Sequence, residues 1–295
     1  MSTATTRELA SPPAALGLSL RAALALIPGA SALPFVAGAG SEIPDVELKL
    51  AGALLEPARL NDYARVCGFT LGGSMPVTAP HLLAFPLHMA LMTDGSFPFG
   101  AVGLVHIANR IVQHRPIATD EALELRVRAT PLQAHPKGRT FTIVTEASVG
   151  SEVVWEEHST MLRRGRGEQA RESAAQDASR PALADTAEWR LPEDLGRRYG
   201  AVSGDRNPIH MHALSAKAFG FPRAIAHGMW TKARCLAALQ SSLPDAYAVD
   251  VDFRKPIFLP GRVSFAEARA ERQSIFAVHS SKDNSTIHLE GTVTP

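Results

Sequence analysis

The chain of 295 residues is short of several things, and each absence narrows what it can be. It has two cysteines, Cys67 and Cys235, too few for a disulfide framework, so both are expected to be small buried apolar side chains in a reduced compartment. It has no excess of either charge: a net charge of +1 gives no reason to expect nucleic acid or an anionic membrane as the main partner. Long apolar runs are also missing. The stretch Ala22 to Ile27 is too short to span a bilayer and is broken by Pro28 and Pro34, which implies a soluble, cytoplasmic protein with an N-terminal decoration and no membrane insertion. High alanine and arginine with few lysines points to a bacterial source.

What is present is concentrated in Tyr199 to Met229, YGAVSGDRNPIHMHALSAKAFGFPRAIAHGM. At its centre Asp205 and His210 are five residues apart around an Asn207-Pro208 turn. Asn207 precedes a proline and is pushed away from helical backbone, and Pro208 can open a helix because its missing N–H is not needed there. A carboxylate and an imidazole held by such a turn can share one water and move its proton. The residue types alone leave other roles open: Asp205 as a helix cap, Asn207 as an Asx turn, His210 as a surface histidine. His210-Met211-His212 has the wrong spacing for a metal pair on a helix, and no cysteine or carboxylate cluster completes a shell, so no metal is expected. Ser203 lies in the same turn as Asp205 and His210, without a nucleophile elbow, so it is read as fixing the turn or the site.

Three blocks in order carry a family resemblance. They are Ser203-Gly204-Asp205 with Asn207-Pro208-Ile209-His210, then Ile225-Ala226-His227-Gly228-Met229, then Phe253-Arg254-Lys255-Pro256-Ile257-Phe258-Leu259-Pro260-Gly261. Together they resemble the MaoC-like, (R)-specific enoyl-thioester hydratases. The resemblance implies that Asp205 and His210 are catalytic and that Gly228 offers its N–H to a thioester carbonyl. It implies no cofactor, with CoA or phosphopantetheine present only as part of the substrate. Its activity would be reversible hydration of trans-2-enoyl thioesters to (R)-3-hydroxyacyl thioesters, on CoA or acyl carrier protein, in fatty-acid metabolism. A thioesterase and a non-catalytic acyl-binding protein are the alternatives. Around this core, Ser203, Asn207 and Tyr199 are expected to line or orient the site, and Arg254 and Lys255, with Arg262, to meet the phosphates of the carrier arm.

The chain also echoes itself. Tyr63 to Phe69 parallels Tyr199 to Asp205, and Arg115-Pro116-Ile117 parallels Lys255-Pro256-Ile257, but the first copy has Phe69 where the second has Asp205 and no Asn-Pro-Ile-His turn. Two related domains follow, the first supplying shape and the second chemistry. The boundaries read are an extension over 1–40, a degenerate domain over 41–165, a charged linker over 166–182 and a catalytic domain over 183–295. The pattern predicts helices over His81 to Thr93 and Ala224 to Leu243, a short helix capped by Asn61, and antiparallel strands after each long helix. The expected fold class is α+β: two tandem hot-dog domains, each a long central helix wrapped by an antiparallel sheet, forming a pseudo-dimer, with a homodimer possible. Leu87 and Met89 are expected to border the acyl slot, and His88 and His106 to be satisfied structural histidines.

Overall fold

In the computed structural model the described residues are 5–24, 36–38, 40–165, 183–270 and 273–295, so the expected linker over 166–182 lies outside them. Their strands form one continuous sheet. The first half contributes β1 (Thr5–Leu9), β2 (Val46–Ala53), β3 (Leu104–Gln113), β4 (Leu123–Ala129), β5 (Gln133–His135), β6 (Gly138–Val149) and β7 (Glu152–Arg164). The second contributes β8 (Ala184–Leu191), β9 (Tyr247–Phe253), β10 (Gly261–Ala270), β11 (Gln273–Ser280) and β12 (Asp283–Thr294). The order is β1-β2-β4-β6-β7-β3-β9-β12-β11-β10-β8, with β5 paired to β6. The halves meet where β3 pairs antiparallel with β9, Arg110 opposite Asp250, so the two sheets are edge-joined into one. The extension is not merely decoration: β1 adds a parallel edge strand to β2, and the helix α1 (Ala15–Leu24) follows it.

One face of this sheet holds the long helices α3 (Pro80–Met92) and α7 (Gly228–Leu239). Leu82, Leu83, Leu87 and Leu91 of α3 and Met229, Ala233, Leu236 and Leu239 of α7 are buried in one shared core with Leu125, Val127, Val249 and Val251 of the sheet. The α7 helix starts four residues later than its apolar spacing predicts. Ala224 to His227 stay extended because Ile225 bridges to Phe258 and the Ala226 N–H donates to the Ile257 carbonyl at 2.9 Å. The short helix of the first half, α2 (Pro57–Cys67), begins on Pro57, and Asn61 sits inside it, its side chain donating to the Pro57 carbonyl, rather than capping it.

The internal echo is geometric. Both α2 and α4 (Leu195–Ser203) end on a left-handed glycine, Gly68 and Gly204, each at φ 85°. The Met75 N–H to Ile117 carbonyl bond repeats the Ala226 to Ile257 bond of the second half. What the second half adds between its glycine and its long helix is α5 (Pro208–Met211) and α6 (Ala213–Ala218).

Candidate active site

The turn after Gly204 is held by a cascade of side-chain to main-chain bonds. Ser203 Oγ accepts from the Asp205 N–H (3.1 Å), Asp205 Oδ1 accepts from the Asn207 N–H (3.1 Å), and Asn207 Oδ1 accepts from the Ile209 N–H (3.4 Å). Asn207 thus caps α5, on which Pro208 is the first residue and His210 faces inward. Ser203 is 1% exposed and stands behind the turn; Asp205 keeps 29% of its side chain exposed.

His210 Nδ1 lies 2.8 Å from the Ile225 carbonyl, which can only accept, so Nδ1 carries the proton and Nε2 is left with its lone pair. Stacked on this ring, with centroids 3.7 Å apart, is His227. Its Nε2 lies 3.0 Å from the Asp205 carbonyl and 3.7 Å from Asp205 Oδ2, while its Nδ1 is buried without a partner. The donor atoms of Asp205, His210 and His227 all lie within 4.8 Å of one another, a set that could also hold a cation. Tyr199, 2% exposed, packs its ring 4.8 Å from His227 and therefore supports the histidine from below.

His227 is the member of this cluster that sequence reasoning missed. Its signal was the Ala-His-Gly-Met block, read there only for the glycine. Burial, with the His210 ring beside it, pushes His227 down to about 3, so it is neutral at ordinary pH and donates Nε2–H to the Asp205 carbonyl. Burial also lowers His210, with Asp205 pulling the other way. For Asp205, burial favours the acid form, but His227, His210 and the Asn207 N–H outweigh it and hold the carboxyl below its usual value. Near neutral pH the trio is one carboxylate and two neutral imidazoles.

Gly228 is the first residue of α7, so its N–H and those after it have no helical acceptor and sit at the positive end of the helix dipole. A side chain here would put Cβ 3.0–3.2 Å from the Phe253 ring, which would have to give by a few tenths of an ångström to admit it. Beyond Phe253, Arg254 is exposed and paired with Asp252 (3.0 Å) and Glu290 (2.9 Å), so a phosphate would have to compete with two carboxylates. Lys255 is exposed, its carbonyl accepting from His288, and Arg262 lies 3.9 Å from Glu188.

A second cluster lies under the first half. Glu157 Oε2 is 2.9 Å from His81 Nδ1 and 4.0 Å from His88 Nε2, its Oε1 accepts from Asn109 at 2.7 Å, and His88 Nε2 is 2.7 Å from Thr145 Oγ1. Lys232 reaches across from α7 to the Asn109 side chain and to the Asn109 and Val249 carbonyls. His81, His88 and Glu157 could likewise hold a cation. Burial pushes His88 and His106 down to about 3 and about 4, and the His81 imidazole keeps Glu157 ionised despite its burial. His88 is satisfied, as expected, whereas His106 is only half so: it bonds the Ala108 main chain but leaves Nε2 buried without a partner, its ring 4.9 Å from Phe253. Leu87 is fully buried in the core, while Phe85 and Met89 of α3 are partly open.

Two long helices lying on one joined, mostly antiparallel sheet, with a carboxylate and an imidazole beside the tip of the second helix, define a double hot-dog protein. Comparison with known proteins gives the family. The chain is 38% identical over 260 residues to the 3-hydroxyacyl-thioester dehydratase X of Mycobacterium tuberculosis, covering 88% of this chain and 90% of that one, and residues 172–290 match the MaoC like domain. This chain belongs to the MaoC-like dehydratase family. The crystal structure of HtdX from the same bacterium superposes with a TM-score of 0.74 at 36% identity, covering 84% of this chain and 98% of that one. A MaoC-like dehydratase from Phytophthora capsici shares the fold at a TM-score of 0.68 and 18% identity, over 84% of this chain and 94% of its own.

Proposed function

We propose that this protein adds water reversibly to a trans-2-enoyl thioester, giving the (R)-3-hydroxyacyl thioester by acid–base chemistry with a single water. The observation that carries this reading is the meeting of Asp205 and the lone-pair nitrogen of His210 beside the free N–H groups of α7. His210 Nε2 takes a proton from a water that Asp205 orients by accepting its other hydrogen. The water oxygen bonds to carbon three, the double-bond electrons move to the thioester oxygen, and the N–H groups at Gly228 stabilise that oxyanion more than the ground-state carbonyl. The proton on His210 then passes to carbon two as the enolate collapses. All atoms of one water end in the product, and dehydration reverses the steps.

Arg254 and Lys255 follow directly on Phe253, the residue packed against Gly228, which supports a carrier arm of CoA or acyl carrier protein leaving the site past them. The test is the loss of enoyl absorbance from crotonyl-CoA and longer enoyl-CoAs, run beside a free-thiol assay. Absorbance should fall without thiol release in the parent and not in Asp205→Asn. Thiol release in step with substrate loss would instead mark a thioesterase.

A further inference from the structure

Arg59 belongs to the half that has lost the acid and the base, yet its guanidinium ends on the turn that carries them. From α2, Nε donates to the Val202 carbonyl (2.7 Å) and Nη2 donates to the Ser203 carbonyl (3.3 Å) and to the Leu82 carbonyl (3.1 Å). All three acceptors need an outside donor for a reason written in the sequence. Val202 and Ser203 are in the last turn of α4, where helical carbonyls run out of N–H partners. Leu82 lies inside α3, four residues before Pro86, the helix-interior proline whose missing N–H would otherwise have bonded it.

The echo supplies a control within the same molecule. Val66 is the counterpart of Val202, and its carbonyl is also held from the opposite half, but by one neutral donor, the Trp230 indole N–H at 3.0 Å. Among the described residues the degenerate turn is held from the other half by neutral donors and acceptors, Trp230 on that carbonyl and the Gln240 amide on both main-chain groups of Thr70 (2.9 and 2.6 Å); the turn that leads into Asp205 has a charged fork tying two carbonyls to α3. Charge-assisted and multidentate bonds restrict position more than one neutral bond does.

We propose that Arg59 is a positioning residue for the Asp205 turn, through which the degenerate half sets the geometry of the other half's chemistry. This rests on the hydratase reading above. Arg59 touches no reacting atom; it fixes the C-terminal end of α4, hence Gly204 and the direction of Asp205 relative to His210. Pro86 is part of the device, because it is what makes the Leu82 carbonyl available as an anchor.

The experiment compares the parent, Arg59→Ala, Arg59→Lys, Pro86→Ala and Asp205→Asn in the enoyl-CoA absorbance assay with melting curves on each. A misplacement of order 1 Å costs roughly 10²-fold, so Arg59→Ala should lower kcat by about that factor with KM little changed. Added guanidinium at millimolar levels should recover part of the loss. Arg59→Lys, which keeps the charge but not the fork, should fall between. Pro86→Ala supplies Leu82 with a helical donor and should lower kcat several-fold while the melting temperature holds or rises. The proposal is overturned if folded Arg59→Lys and Pro86→Ala keep kcat within twofold of the parent, or if Arg59→Ala raises KM alone. Activity of Asp205→Asn within about tenfold of the parent would overturn the hydratase reading itself, whatever Arg59 does.

Discussion

Two clusters in this molecule have the same parts, one carboxylate and two imidazoles, and differ in what is left over. In His81, His88 and Glu157 both carboxylate oxygens are bonded, His88 is tied to Thr145, and the side chains are 8%, 3% and 0% exposed. In Asp205, His210 and His227 the carboxylate is partly open, and one histidine is oriented by a main-chain carbonyl so that its other nitrogen can accept. The first spends its hydrogen-bonding capacity on joining α3, the sheet and, through Lys232, α7. The second spends only part of it, and the rest is available for chemistry. Residue types alone do not tell the two clusters apart; unspent hydrogen-bonding capacity does.

The sharpest test of this contrast is exchange of one group in each cluster. Asp205→Asn or His210→Ala should lower kcat/KM by roughly 10²–10⁴-fold, the range for a lost general acid or base, with little change in melting temperature. If they do not, the two clusters are alike and neither is a site. Glu157→Gln should do the opposite: breaking a buried pair typically costs about 3–5 kcal/mol, to be read by denaturant titration, with turnover of the folded fraction within a few-fold of the parent. Gly228→Ala, which pushes a methyl group into the Phe253 ring, should lower kcat by roughly tenfold, less than a lost proton donor, because loss of one oxyanion donor is worth about 10²–10³ and the ring can partly yield.

Acidification probes both clusters at once. In the proposed hydration His210 serves as base only when Nε2 is unprotonated, so kcat/KM should fall as pH drops through its pKa, which burial holds below the ordinary value of about 6.5. Because Asp205 raises that pKa, the residual activity of Asp205→Asn should have its acid limb at lower pH than the parent. Stability follows the same sign. His88 and His227, at about 3, and His106, at about 4, stay neutral in the folded protein, while the unfolded chain takes up protons from about 6.5 downward. Their contribution is therefore complete above about 6.5 and is lost progressively below it. Replacing Met89 by Trp on the open face of α3 should give the smallest effect, a shift in preferred acyl length measured across enoyl-CoAs; an unchanged profile removes that face from the substrate path.

Much of this could be seen in the residues beforehand. Strand alternation and the turn at Pro136-Lys137-Gly138 located the sheet, since a pleated half-buried ribbon demands period-two burial. The Asn207-Pro208 turn was legible because its chemistry is local: each bond in the cascade spans two residues. The start of α7 was not, because Ala224 to His227 are held extended by Ile257 and Phe258, some thirty residues away. His227 was missed for the same reason: nothing local distinguishes a histidine before a helix from one stacked on the ring of His210. The Glu157 network joins four distant segments, and no window of sequence contains it.

By itself the sequence determined the two-fold echo, the loss of acid and base from its first copy, and the turn that presents Asp205 and His210, because these depend on short-range backbone preferences of glycine, asparagine and proline. Only the tertiary structure decided that the halves share one sheet through Arg110 and Asp250, that His227 stacks on His210, and that Arg59 reaches across to the carbonyls before Gly204. Those are contacts between residues far apart in the chain, and they exist because burying two helices on a common sheet brings such residues within hydrogen-bond reach.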